Sequence, residues 1–167
     1  MDLSRSDDLI LDAAWRMSLN KLARDAKGRF SESRLAEEVS DAANTNEPYS
    51  TVLIVLSAQG IIDNGGLCAF LESDWPHSPP YDLFTVRCRK IGATASAQAI
   101  TSAIDWLGLE EPHLEQAKRD ALLDDFRDDE TGTHLLHKLG ASIYDDDVWQ
   151  KLVDFIKDNS DYFDQQI

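Results

Sequence analysis

Apolar residues in this chain recur at intervals of three and four, and almost nowhere at two. Leu9, Ile10, Ala13, Ala14, Met17 and Leu22 follow Ser6-Asp7-Asp8, an N-cap with acidic residues in the first turn, and predict a helix over about residues 7–24. Gly28 breaks it, and Ser31 to Arg34 opens a second helix to about residue 43, with Leu35, Ala36 and Val39 facing inward. After the loop 44–48, Val52, Leu53, Val55, Leu56 and Gln59 to Ile62 predict a third helix over 49–63, apolar on most of its circumference. Asn64-Gly65-Gly66 then interrupts the run, and Leu67 to Leu71 predicts a short helix over 66–72. Asn-Gly also suits a hairpin turn, but its flanks do not alternate, so the simpler reading is a helix end, a left-handed glycine cap and a new helix. Asp74 to Pro80 carries three prolines in seven residues and must be a loop. Beyond it the spacing predicts helices over 81–91, 94–107, 112–126 and 148–159, and a shorter helix or turn over 134–144. The helix over 112–126 takes Leu114, Ala117, Ala121, Leu122 and Phe126 as its buried face. No stretch reads as a strand. An all-α, single-domain bundle of about eight helices over residues 1–167 follows.

Charge changes the picture more than composition does. The chain has 31 acidic and 16 basic residues, a formal net charge of −15, while its hydrophobic fraction of 43% and tryptophans Trp15, Trp75, Trp106 and Trp149 set it apart from disordered acidic tails. Such a surface disfavours direct contact with nucleic acid or anionic membranes and favours cationic proteins, including those that hold DNA. Residues 124–167 hold 12 acidic against 4 basic side chains. The candidate partner-binding carboxylates are Asp124, Asp125, Asp128, Asp129, Glu130, Asp145, Asp146, Asp147, Asp154, Asp158 and Asp161. Cys68 and Cys88 form no CxxC pair and read as reduced, buried thiols. The N-terminus is polar rather than a signal peptide, and no apolar run approaches the roughly 18 residues of a membrane span. A cytoplasmic location is the expectation.

Candidate chemistry is sparse. The sequence has no phosphate-binding loop, dinucleotide fingerprint, nucleophile elbow or zinc-protease motif. A calcium loop started at Asp124 meets Phe126 at its third position, and one started at Asp128 meets Thr133 where glycine is required. His134 and His137 share a helical spacing without a third zinc ligand nearby. Neither an enzyme, nor a cofactor, nor a metal is expected.

The apolar helix, Asn64-Gly65-Gly66, the apolar Leu67 and then Phe70 resemble the signature of a bacterial all-helical domain family whose best-understood member is a DNA mimic. That member binds a helix-turn-helix transcription factor and keeps it from its operator. The resemblance continues through Arg89-Lys90-Ile91-Gly92-Ala93 and the alanine-rich segment after it, covering about residues 48–126. Leu67 departs from the aromatic residue the family usually places after the second glycine. The resemblance implies the all-α fold and, with the net charge, a non-enzymatic protein that sequesters a basic DNA-binding regulator. Two alternatives stay open: an immunity or regulatory module for one specific protein, and a small-ligand-binding domain built on the Asn-Gly-Gly corner and the Trp75 loop. A homodimer also stays open.

Overall fold

The computed structural model describes residues 5–25, 45–75, 78–127 and 130–163. Eight helical elements run through them: α1 (Arg5–Asp25), α2 (Tyr49–Glu72), α3 (Asp82–Lys90), α4 (Thr94–Leu107), α5 (Gln116–Arg127), α6 (Glu130–Asp145), α7 (Val148–Asp158) and α8 (Ser160–Phe163). No strand occurs among the described residues. The fold is therefore all-α, as the periodicity predicts. The helix expected at 31–43 lies outside the described residues.

Everything packs on α2. It touches α1, α3, α4, α5, α6 and α7, and Val52, Leu53, Ile54, Val55, Ile62, Leu67, Phe70 and Leu71 on it are all essentially shut off from solvent. That explains a pattern apolar on every side: a helix with neighbours all round has no face to leave polar. By length and composition α2 is long and apolar enough to cross a membrane, which corrects the reading that no segment approaches that length. Its neighbours within the bundle account for its apolarity. At its far end Phe70 sits 5.1 Å from Phe84 and 5.7 Å from both Trp75 and Tyr81, centroid to centroid. Trp75 closes the cluster at 4.6 Å from Phe84. These edge-on and tilted pairs anchor the proline-rich loop to the core.

One predicted face turns out otherwise. Of the face predicted for 112–126, Leu114, Ala117 and Ala121 are exposed, whereas Arg119 and Leu123 of α5 are buried. Alanine gains little from burial, and Leu123 sets the phase of the helix. The start moves as well, from 112 to Gln116, because residues 111–114 form a turn, with the Leu114 amide donating to the Glu111 carbonyl. Arg119, 2% exposed, turns back and donates from Nη1 to the Pro112 carbonyl at 2.7 Å. In α3, Val86 is exposed, while Phe84 and Cys88 are buried.

Candidate interaction surface

The Asn-Gly-Gly corner divides α2 into two helical segments joined at a kink, as the glycine break predicts. Gly66 has φ 70° and ψ −169° at that kink. This is positive φ, as a glycine cap requires, but its ψ lies far from the left-handed helical well, in a region open essentially to glycine alone. Gly65 is needed for another reason: a Cβ there would stand 2.4 Å from the Ala69 Cβ. Asn64 keeps its turn helical by donating from Nδ2 to the Gly60 carbonyl at 2.7 Å. Phe70, four residues beyond Gly66, is wholly buried. Of the four motif residues, Gly65, Gly66 and Phe70 hold the fold, and Asn64 lies at the surface.

A cleft of about 400 Å³ opens beside this corner, between α2 and α6, lined by Asp63 to Cys68 on one side and by Leu136, His137, Gly140, Ala141 and Tyr144 on the other. Trp75 takes no part in it, since its ring is buried against Phe70 and Phe84. Among the described residues, the corner and Trp75 therefore do not line a common cleft.

The acidic residues divide into three groups. Asp145, Asp154, Asp158 and Asp161 are exposed. Asp154 accepts only from the Gln150 amide at 3.0 Å, and no cation among the described residues pairs with Asp154, Asp158 or Asp161. The two lysines of α7 are occupied elsewhere: Lys157 donates to Asp7 of α1 at 3.1 Å, and Lys151 binds Asp146. Asp146 forms the second group by itself. It turns inward, with 6% of its side chain exposed, and accepts the Ser96 amide at 2.7 Å and the Ser96 hydroxyl at 2.8 Å. Ser96 lies in the first turn of α4, whose N-cap Ala93 has no side chain to offer, so a carboxylate fifty residues away caps that helix. Burial alone would raise the Asp146 carboxyl, but bonds from Lys151 and Ser96, with the Lys151 charge, hold it below the ordinary aspartate range. Asp146 is thus part of the scaffold and not of an outer surface. Asp147 beside it is half-buried, with a left-handed backbone at φ 52°. The third group carries less information. Asp124 is exposed on α5, Asp125 and Glu130 stand on α5 and α6, and Asp128 and Asp129 lie outside the described residues.

One polar cluster escaped the reading of the sequence. Glu47, just before α2, meets Arg87 at 2.7 Å and Lys90 at 2.9 Å from α3 and accepts the Thr51 hydroxyl at 2.7 Å. Burial pushes its carboxyl up, and Thr51, Lys90 and Arg87 outweigh that and hold it below the usual range. Nothing local in Glu47-Pro48 signals partners forty residues on.

A model of the family described as DMP19-like protein matches residues 43–159. The match is wider than the stretch 48–126 that carries the motif, and it takes in α6 and α7. No curated protein and no solved structure matches the chain. With the Asn-Gly-Gly corner inside the matched span and well over half of the chain covered, this protein belongs to the DMP19-like family, a DNA-mimic family.

Proposed function

We propose that this protein is a non-enzymatic DNA mimic of the cytoplasm, which binds a basic DNA-binding protein of the helix-turn-helix kind through its C-terminal carboxylates and so keeps it from DNA. One observation carries the reading: α7 pairs both of its lysines with carboxylates of its own chain, Asp146 and Asp7, and leaves Asp154 and Asp158 exposed and without a cation partner among the described residues. A surface evolved only for solubility has no need to sequester its cations.

Geometry limits how this surface imitates DNA. At 1.5 Å per residue, Asp154 and Asp158 stand about 6 Å apart along the helix axis. Duplex DNA carries a charge about every 1.7 Å of axis, so one row of carboxylates is roughly fourfold too sparse. A second row is at hand, because α1 packs against α7 and carries exposed Asp8 and Asp12. Asp12 shares its charge with Arg16 at 2.9 Å, an exposed pair of little energetic weight. The mimic surface on this account spans both helices.

The test is capture from cell extract at low salt, stepwise elution with rising salt, and a mobility-shift assay of the eluted protein on duplex DNA. The reading expects a DNA-binding protein that leaves its DNA when this protein is added. Retention of a salt-insensitive partner without affinity for DNA would support a regulatory or immunity module instead. Elution of generic basic proteins alone would contradict a specific mimic.

A further inference from the structure

The cleft at the Asn-Gly-Gly corner is unexplained by the acidic face of α7, and its walls have a consistent chemistry. Asp63 lines it and is exposed. Its two oxygens accept from Gln59 Nε2 and from Trp149 Nε1, each at 2.7 Å. Both donors are neutral, so they fix the carboxylate in place without cancelling its charge, and each oxygen retains capacity to accept again. No Lys or Arg pairs with Asp63 among the described residues. Tyr144 of α6 lines the same cleft and is 58% exposed, its hydroxyl making a long 3.5 Å contact with the Ile62 carbonyl beside Asp63. Gly65, Gly66, Gly140 and Ala141 line the cleft with little or no side chain. His137 is the one titratable group on the walls that could oppose a cation.

A held carboxylate and an exposed aromatic residue that line one space of about 400 Å³ suit a planar cation that pairs with one and stacks on the other. We infer that this cleft is a guanidinium pocket, which receives an arginine side chain of the protein bound on the acidic face. The inference rests on the mimic reading for the identity of the partner, while the pocket itself is testable without one. It also gives the partner contact a fixed point, which a uniform field of carboxylates does not supply.

The experiment titrates N-acetyl-arginine amide into the full-length, isotope-labelled protein and follows the Trp149 indole N–H, which reports directly on Asp63, with the Gly66 and Gly140 amides. The expected result is saturable shifts at these three sites and none with N-acetyl-citrulline amide, which has the shape without the charge. N-acetyl-lysine amide should bind at least threefold more weakly. Asp63→Asn, which keeps an acceptor for Trp149, should weaken binding at least fivefold, and Tyr144→Leu at least threefold. Equal shifts with citrulline, shifts that spread along α7 without saturating, or binding unchanged in both variants would overturn the pocket. Should the pocket saturate while capture from extract yields no DNA-binding protein, the pocket stands and the mimic reading falls. Should a DNA-binding partner be captured with full affinity by both variants, the pocket falls and the mimic reading stands.

Discussion

Gly65 and Gly66 are adjacent and identical, and the fold requires each for a different reason. Gly66 holds a backbone conformation closed to side-chain-bearing residues, while a Cβ on it would meet nothing within 4 Å. Gly66→Ala should therefore cost about 1–3 kcal/mol through backbone strain alone. Gly65 has an ordinary helical backbone, and its Cβ would overlap that of Ala69. A thermal-melt double-mutant cycle separates the two. Ala69→Gly should relieve part of the Gly65→Ala loss and none of the Gly66→Ala loss, and equal relief of both would mean that one steric cause serves both positions. The sequence announced that a break falls here, through the pair itself. It could not announce Ala69 as the reason for Gly65, because that contact exists only once the helix resumes. The cysteines divide in the same way. Cys88 is buried, and burial above all, with the Asp146 charge, pushes its thiol up to about 12. Cys68 is only half-buried, at the cleft. A thiol reagent at pH 8 should label the native protein once, at Cys68, and the unfolded protein twice. Rapid native labelling of Cys88 would show that the α3 packing opens readily.

Elements with a strong period were legible almost to the residue. The alanine-rich spacing gave 94–107 for α4, and the amphipathic spacing gave 148–159 where α7 ends at Asp158. α5 was legible in existence but not in phase, since its inward face includes an arginine, Arg119, whose burial depends on the Pro112 carbonyl in the preceding turn. The start of α4 was legible and its cap was not, because Asp146 comes from the end of another element. That cap makes a prediction at this scale. Asp146→Ala leaves the Ser96 amide and hydroxyl without their charged acceptor and should cost about 2 kcal/mol. Asp146→Asn, which keeps one acceptor, should cost less. The carboxyls of Asp146 and Glu47 are both held below their ordinary values in the folded state. Their contribution is thus fully present above the unfolded values, near pH 4 to 4.5, and is lost as pH falls below that range through the folded values. Melting temperature should drop steeply below about pH 4.5, and Asp146→Asn should flatten part of the drop. A variant that follows the wild-type pH profile unchanged would remove Asp146 from this role.

For the molecule as a whole, the net charge of −15 was readable from composition, but its division into work was not. A string of aspartates does not reveal that Asp146 serves the scaffold while Asp154, Asp158 and Asp161 face solvent with no cation partner among the described residues. That distinction comes from the path of α7, which turns Leu152, Val153 and Ile156 into the core and brings Lys157 against α1. It also fixes the most direct test of the mimic reading. Asp154, Asp158 and Asp161 changed together to Asn should leave melting temperature level or slightly higher, because exposed like charges repel one another and lose little by neutralisation. Association of the wild-type protein with the captured DNA-binding partner should slow steeply as salt rises. The decisive measurement is the slope of log affinity against log salt concentration for the wild type and this triple variant. The account predicts weaker binding and a shallower slope for the variant, chiefly through slower association. Wild-type affinity and slope in a folded variant would contradict it.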